Sequence, residues 1–118
     1  FVLDHIAKPR IGDALIEPWK SLMHELAKRE NVICKLSGLA TEAKWKEWKE
    51  ADLTPYLEVA LDAFGPNRMM FGSDWPVARL AIEYTPWVDL CRRFISNLTL
   101  EEQTLIEGKV AEEVYGLK

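Results

Sequence analysis

Residues 53–74, LTPYLEVALDAFGPNRMMFGSD, change from one period to another, and that change decides the fold. Leu53, Tyr56, Leu57, Ala60, Leu61 and Phe64 recur at the spacing of a helix with one buried face. Gly65-Pro66 then stops the helix. Arg68 to Asp74 (RMMFGSD) reads as a short apolar strand that ends on a carboxylate. Two similar runs lie upstream, Asn31 to Ser37 (NVICKLS) and Phe1 to His5 (FVLDH). Between them Leu15, Ile16, Trp19, Leu22, Met23, Leu26 and Ala27 form a second helical stripe. Downstream, Thr85-Pro86 supplies an N-cap and an N1 proline for a helix carrying Trp87, Leu90, Cys91, Phe94 and Ile95. Thr99-Leu100-Glu101-Glu102 has the form of a capping box and opens a last helix with Ile106, Val110 and Val114.

The predicted order is β-α-β-α-β-α-α in an α/β fold. Strand ends at about residues 5, 37 and 74 are 32 and 37 residues apart, the length of a βαβ unit. Parallel strands with right-handed crossovers follow. Doubly wound sheets and (β/α)8 barrels both satisfy the pattern. A full barrel takes roughly 250 residues, so three of its eight units plus a terminal helix nearly reproduce the 118 residues present. The chain opens without Met, directly inside a strand pattern, and we read it as the C-terminal piece of something longer. With no linker or repeat, residues 1–118 count as one unit.

Composition narrows the function classes. With 48% apolar and 29% charged residues, disordered, collagenous and coiled-coil chains are excluded. A net charge of −4 implies no basic patch for nucleic acid, and no apolar run is long enough for a bilayer. Cys34 and Cys91 lack metal spacing and read as reduced core thiols, which suits a cytoplasmic protein.

The chemistry-bearing residues fall where the strands end, which is where parallel α/β folds bind ligands. His5 reads as a base, an oxyanion partner, a metal ligand or a hydrogen-bonded core histidine. Asp74 reads as a general base, a metal ligand or a turn residue ahead of Trp75-Pro76. By strand alternation, His5, Leu3 and Phe1 share one face with Asp4 and Val2 on the other, and Gly72 and Met70 accompany Asp74. Lys35 is a cation within an apolar strand, so it needs a partner or a shifted pKa, and an ion pair with a carboxylate is the expected outcome. Ser37-Gly38 lacks the G-x-S-x-G elbow of a nucleophilic serine. His24 falls among helix residues as surface decoration. Trp45 and Trp48 form either a loop over the strand ends or a short docked helix.

The phrases LDHIAKPRI, NVICKLSGLATEA, DLTPYLEVALDAFGPNRMMFGSDWPV and AEEVYGL resemble the amidohydrolase superfamily, in its lactonase-like branch of sugar-lactone and 2-pyrone-4,6-dicarboxylate hydrolases. The resemblance runs over nearly the whole chain, and DH-x-x-KP with F-G-S-D-W-P together is quite specific. It implies a TIM (β/α)8 barrel in which this chain matches strands six to eight. His5 then ends strand six. Asp74 ends strand eight and activates the hydrolytic water, and Trp75 follows it at the rim of the substrate pocket. Trp75 and Lys35 are the expected substrate-binding residues. His5 and Asp74 are also the candidate ligands of one divalent metal, zinc or similar, although parts of this branch work without metal.

The H-x-H pair of the first strand, strands one to five and any carboxylate-holding arginines have no counterpart here. Gly108-Lys109-Val110 stands where relatives often carry an Asn-Ala step. The resemblance therefore implies a hydrolase of a small lactone in the full-length protein, with the isolated chain inactive. A metal-dependent decarboxylase of the same superfamily and a non-catalytic barrel fragment are the alternatives. The expected partners are a lactone and the rest of the barrel, or a second copy through self-association, with no nucleic acid or membrane. Cutting a barrel here is expected to lay Leu3 and Met70 open to water.

Overall fold

The computed structural model of the protein describes residues 1–117. Its sheet has three parallel strands in the order β1-β2-β3, with β1 Val2–Leu3, β2 Ile33–Leu36 and β3 Met69–Phe71. Leu3 lies opposite Cys34, and Leu36 opposite Phe71, so the three carboxyl ends come out at the same edge. Six helices accompany them: α1 Trp19–Ala27, α2 Leu39–Glu42, α3 Glu50–Phe64, α4 Tyr84–Ile95, α5 Leu100–Thr104 and α6 Val110–Tyr115. Among the described residues no helix is long and apolar enough to cross a membrane.

Local chemistry accounts for the differences from the sequence pattern. α1 begins at Trp19 rather than Leu15 because Pro18 forces the residue before it out of the helical region. α4 is capped at Glu83, two residues before the expected Thr85, and Pro86 sits in the first turn, where its missing N–H has no partner to lose. The Thr99 capping box forms as read, with Thr99 and Glu102 each accepting the other's backbone N–H. The last helix is not continuous, since Leu105–Lys109 forms a π turn around Gly108, and it buries both Ile106 and Val110 while Val114 is half-buried.

The core lies between the sheet and its helices. Cys34 and Leu36 of β2 and Met69 of β3 pack there with Leu53, Leu57, Ala60 and Phe64 of α3, and with Trp87 and Leu90 of α4. The alternate residues Lys35 and Ser37, with Met70 and Gly72, face the other way. Four of the five tryptophans pin the architecture by donating their indole N–H to a backbone carbonyl: Trp19 to Ile6, Trp45 to Thr41, Trp48 to Ala81 and Trp87 to Gly72. Residues 44–48 thus form a turn rather than a helix, with Trp48 docked on the body and Trp45 half exposed.

One expectation about exposure is corrected. Met70 is 1% exposed, because β3 carries the π turn and α6 packed against it. Phe1, which precedes the two-residue β1, is 89% exposed.

Cys34 and Cys91 are both buried and unpaired with each other. Burial raises the Cys34 thiol from its ordinary value of 9.0 to about 12 and pushes Cys91 up as well. A raised folded-state pKa gives stability that is full below the unfolded value and is lost as pH rises toward the folded one. Urea melts between pH 8 and pH 11, approximate bounds set by ordinary thiol ionisation, should therefore show stability falling with pH. The double variant Cys34→Ala, Cys91→Ala should fall less steeply over the same range.

Candidate active site

The site is assembled from residues that follow the last paired position of each strand. After Leu3 the chain enters a tight turn over Asp4–Ala7 in which His5, Ile6, Ala7 and Lys8 all have positive φ, at 52°, 45°, 59° and 48°. Four successive non-glycine residues in the left-handed region are costly, at about 1–2 kcal/mol each. Two contacts hold them there. The Ile6 side chain is fully buried in the core, and its carbonyl accepts the Trp19 indole N–H at 2.7 Å. Lys8 N–H closes the turn onto the His5 carbonyl at 2.9 Å.

The turn delivers the His5 ring to the ends of β2 and β3. His5 Nδ1 lies 2.7 Å from Ser37 Oγ, and His5 Nε2 lies 3.7 Å from Asp74 Oδ1. The two side chains are 25% and 14% exposed. Asp74 also has positive φ, at 54°, and its carbonyl accepts the Ala78 N–H at 2.7 Å. Ser73 Oγ accepts the Trp75 N–H, and Trp75, next in sequence to Asp74, is 62% exposed. The buried Trp87, bonded to the Gly72 carbonyl, fixes the end of β3 from behind.

Lys35 finds its carboxylate in Asp4, with Nζ to Oδ1 at 3.1 Å. Asp4, expected to face the helices, instead reaches this cation, because strand alternation ends at Leu3 and the left-handed turn takes over. Glycines make the close approaches. A Cβ on Gly38, which has φ +70°, would stand 2.8 Å from His5 Cβ, and one on Gly72 would stand 3.1 Å from Ser37 Cβ. His24, by contrast, sits half exposed on α1, 3.6 Å from Asp62 and away from the strand ends.

The structure thus brings His5, Ser37, Asp74, Lys35 and Asp4 to one edge of the sheet, with Trp75 following Asp74 in the chain. Sequence reasoning missed the Asp4 partner, the cradle made by Gly38 and Gly72, and the place of Ser37 against the His5 ring. It weighed Ser37 only as a nucleophile, a role its complete burial opposes. The one sequence signal for the turn is Lys8-Pro9, since a proline disfavours the right-handed helical region for the residue before it.

A divalent metal is implied by the resemblance, and the donor set can be tested against it. Among the described residues no group of three or more His, Cys, Asp or Glu could hold an ion. His5 and Asp74 offer two donors where catalytic zinc takes three protein ligands. The residues of this chain by themselves do not fit the ion.

A three-stranded parallel α/β sheet with a histidine and an aspartate at its carboxyl ends can be compared with known proteins. The family model described as Amidohydrolase matches residues 1–117, and the chain belongs to that family. It is 41% identical over 126 residues to an L-fucono-1,5-lactonase of Burkholderia multivorans, a match that covers 98% of this chain and 43% of the relative. A second protein of that name, from Burkholderia ambifaria, is 45% identical over 98 residues, covering 78% of this chain and 32% of its own length. The crystal structure of a Burkholderia multivorans amidohydrolase with bound zinc superposes with a TM-score of 0.95 at 41% identity. That superposition covers 99% of this chain and 44% of the other. The chain therefore spans less than half the length of these relatives.

Gly38→Ala tests the cradle. The added methyl meets the His5 ring, and the left-handed backbone resists any side chain. The variant should lose at least about 1–2 kcal/mol in a urea melt, and the His5 ring protons should shift in the NMR spectrum.

Proposed function

We propose that this chain supplies strands six to eight of a (β/α)8 amidohydrolase barrel that opens a small lactone, a sugar-acid lactone, by attack of water. The observation that carries the reading is the His5–Asp74 pair at the carboxyl ends of the strands. It occurs in a chain matched over 98% of its length by a relative named L-fucono-1,5-lactonase.

Asp74 is the general base. Its carboxylate takes a proton from water as the water oxygen bonds to the lactone carbonyl carbon. The carbonyl oxygen gains negative charge, and His5, beside Asp74, stabilises it. When the tetrahedral intermediate collapses, the ring C–O bond breaks and the proton held by Asp74 returns to the departing ring oxygen. The product is a hydroxy acid, whose new carboxyl group then releases water's second proton to solvent and leaves as a carboxylate. In support of this role, Asp74 is only partly exposed and has a polar neighbour at the spacing of a shared substrate atom rather than of a direct hydrogen bond. Lys35, held by Asp4 on the same side of the sheet, and the exposed Trp75 are assigned to substrate binding.

The remainder of the barrel is the proposed partner. β1 pairs only with β2 among the described residues, leaving its other edge unpaired. Beside the Ala7–Arg10 segment an apolar groove of about 300 Å³ is lined by Leu15, Pro18, Trp19, Leu22, Met23 and Leu26. An open strand edge next to an apolar groove favours association.

Two measurements test the reading. In the complete enzyme, Asp74→Asn should lower kcat for lactone hydrolysis about 10²- to 10⁴-fold with KM little changed; near wild-type turnover would remove Asp74 from the role of base. The 118-residue chain alone should scatter light as an oligomer and leave lactones intact. A stable monomer would contradict the proposed need for a partner at β1.

A further inference from the structure

Among the described residues Ser37 is the one buried polar residue, and the only hydrogen bond of its hydroxyl is the 2.7 Å contact with His5 Nδ1. That contact can be made in two ways. If Nδ1 carries the proton and donates, the serine hydroxyl proton needs another acceptor, and the described residues offer none within reach. Ser37 is fully buried, so bulk solvent does not supply one, and a buried donor left unpaired is costly. If the serine donates instead, Nδ1 accepts and the ring proton sits on Nε2. Both groups are then satisfied.

The far side of the ring points to the same arrangement. Nε2 lies 3.7 Å from the Asp74 carboxylate. A lone pair on Nε2 would face that negative charge, whereas an N–H is attracted to it. The ring has little freedom to avoid the choice, because Gly38 packs its backbone against His5 so closely that a Cβ there would come within 3.0 Å of Nδ1.

We infer that Ser37 is a positioning residue that holds neutral His5 in its Nε2–H tautomer, so that His5 offers the site a hydrogen-bond donor and not a metal-binding lone pair. The inference rests on the lactonase reading for what the donor does, which is to stabilise the carbonyl oxygen as it gains charge. Ligation of an ion through Nε2 would need the proton moved to Nδ1 and the serine hydroxyl left without an acceptor.

The test reads the tautomer directly and needs no substrate. The complete enzyme is labelled with nitrogen-15 at histidine and held well above neutrality, where imidazole is uncharged. Long-range proton–nitrogen correlation then distinguishes protonated from imine ring nitrogens, with His5 identified by the signals missing from His5→Gln. The expected result is a protonated Nε2 and an imine Nδ1 displaced by an accepted hydrogen bond. In Ser37→Ala, Nδ1 is expected to move toward the position of an imine nitrogen that accepts none, while kcat falls about 10- to 100-fold. A protonated Nδ1 in the wild-type protein would overturn the inference without the use of any variant. An Nδ1 signal unmoved in folded Ser37→Ala would overturn the assignment to Ser37. The lactonase reading fails separately: the expected tautomer in a complete enzyme that hydrolyses no lactone would remove that reading and leave the positioning role intact.

Discussion

Parallel pairing in a fixed register is the constraint on which everything functional in this chain depends. Because Leu3 aligns with Cys34 and Leu36 with Phe71, the chain leaves all three strands at one edge of the sheet. The polar residues of the candidate site then gather at the strand ends: Asp4 and His5 after β1, Lys35 and Ser37 at the end of β2, and Asp74 after β3. A slip of one residue in β2 would turn Ser37 and Lys35 into the helical core and bring Cys34 and Leu36 to the site. The buried apolar residues on the helical side thus fix the register, and the register fixes the chemistry.

Regular structure ends abruptly where that chemistry begins. The four left-handed residues from His5 to Lys8 would relax in a free peptide. They persist because Ile6 is anchored in the core and its carbonyl is held by Trp19. Asp74 is a further non-glycine residue with positive φ at the same edge. Strained backbone gathered around a histidine and an aspartate is the pattern of a site whose geometry is set before substrate arrives.

Much of this was legible in the sequence. The helical stripes on either side of Asn31–Ser37 placed α1 and α3 correctly, because apolar periodicity is a direct record of burial. The parallel sheet followed from the βαβ spacing, and the meeting of His5 with Asp74 from polar residues at strand ends. What stayed hidden was set by groups distant in sequence. No glycine or asparagine announces the turn at His5–Lys8, since contacts with Trp19 and the core stabilise it. The burial of Met70 depends on a helix that begins forty residues later, at Val110, and on the π turn before it. Helix starts moved by a few residues where Pro18 and Pro86 act on backbone hydrogen bonds rather than on hydrophobic pattern.

The tryptophans carry one more consequence. Four indole N–H groups are committed to backbone carbonyls within the fold, while among the described residues that of Trp75 makes no hydrogen bond. Trp75 is also the most exposed of the five and directly follows Asp74. The protein's ultraviolet emission is therefore divided between four tethered fluorophores, of which Trp45 is half exposed, and the untethered Trp75 on the residue after Asp74. A molecule that covers Asp74 and its neighbour would dry the Trp75 ring, and the red edge of the emission spectrum would then shift as an optical reporter of occupancy.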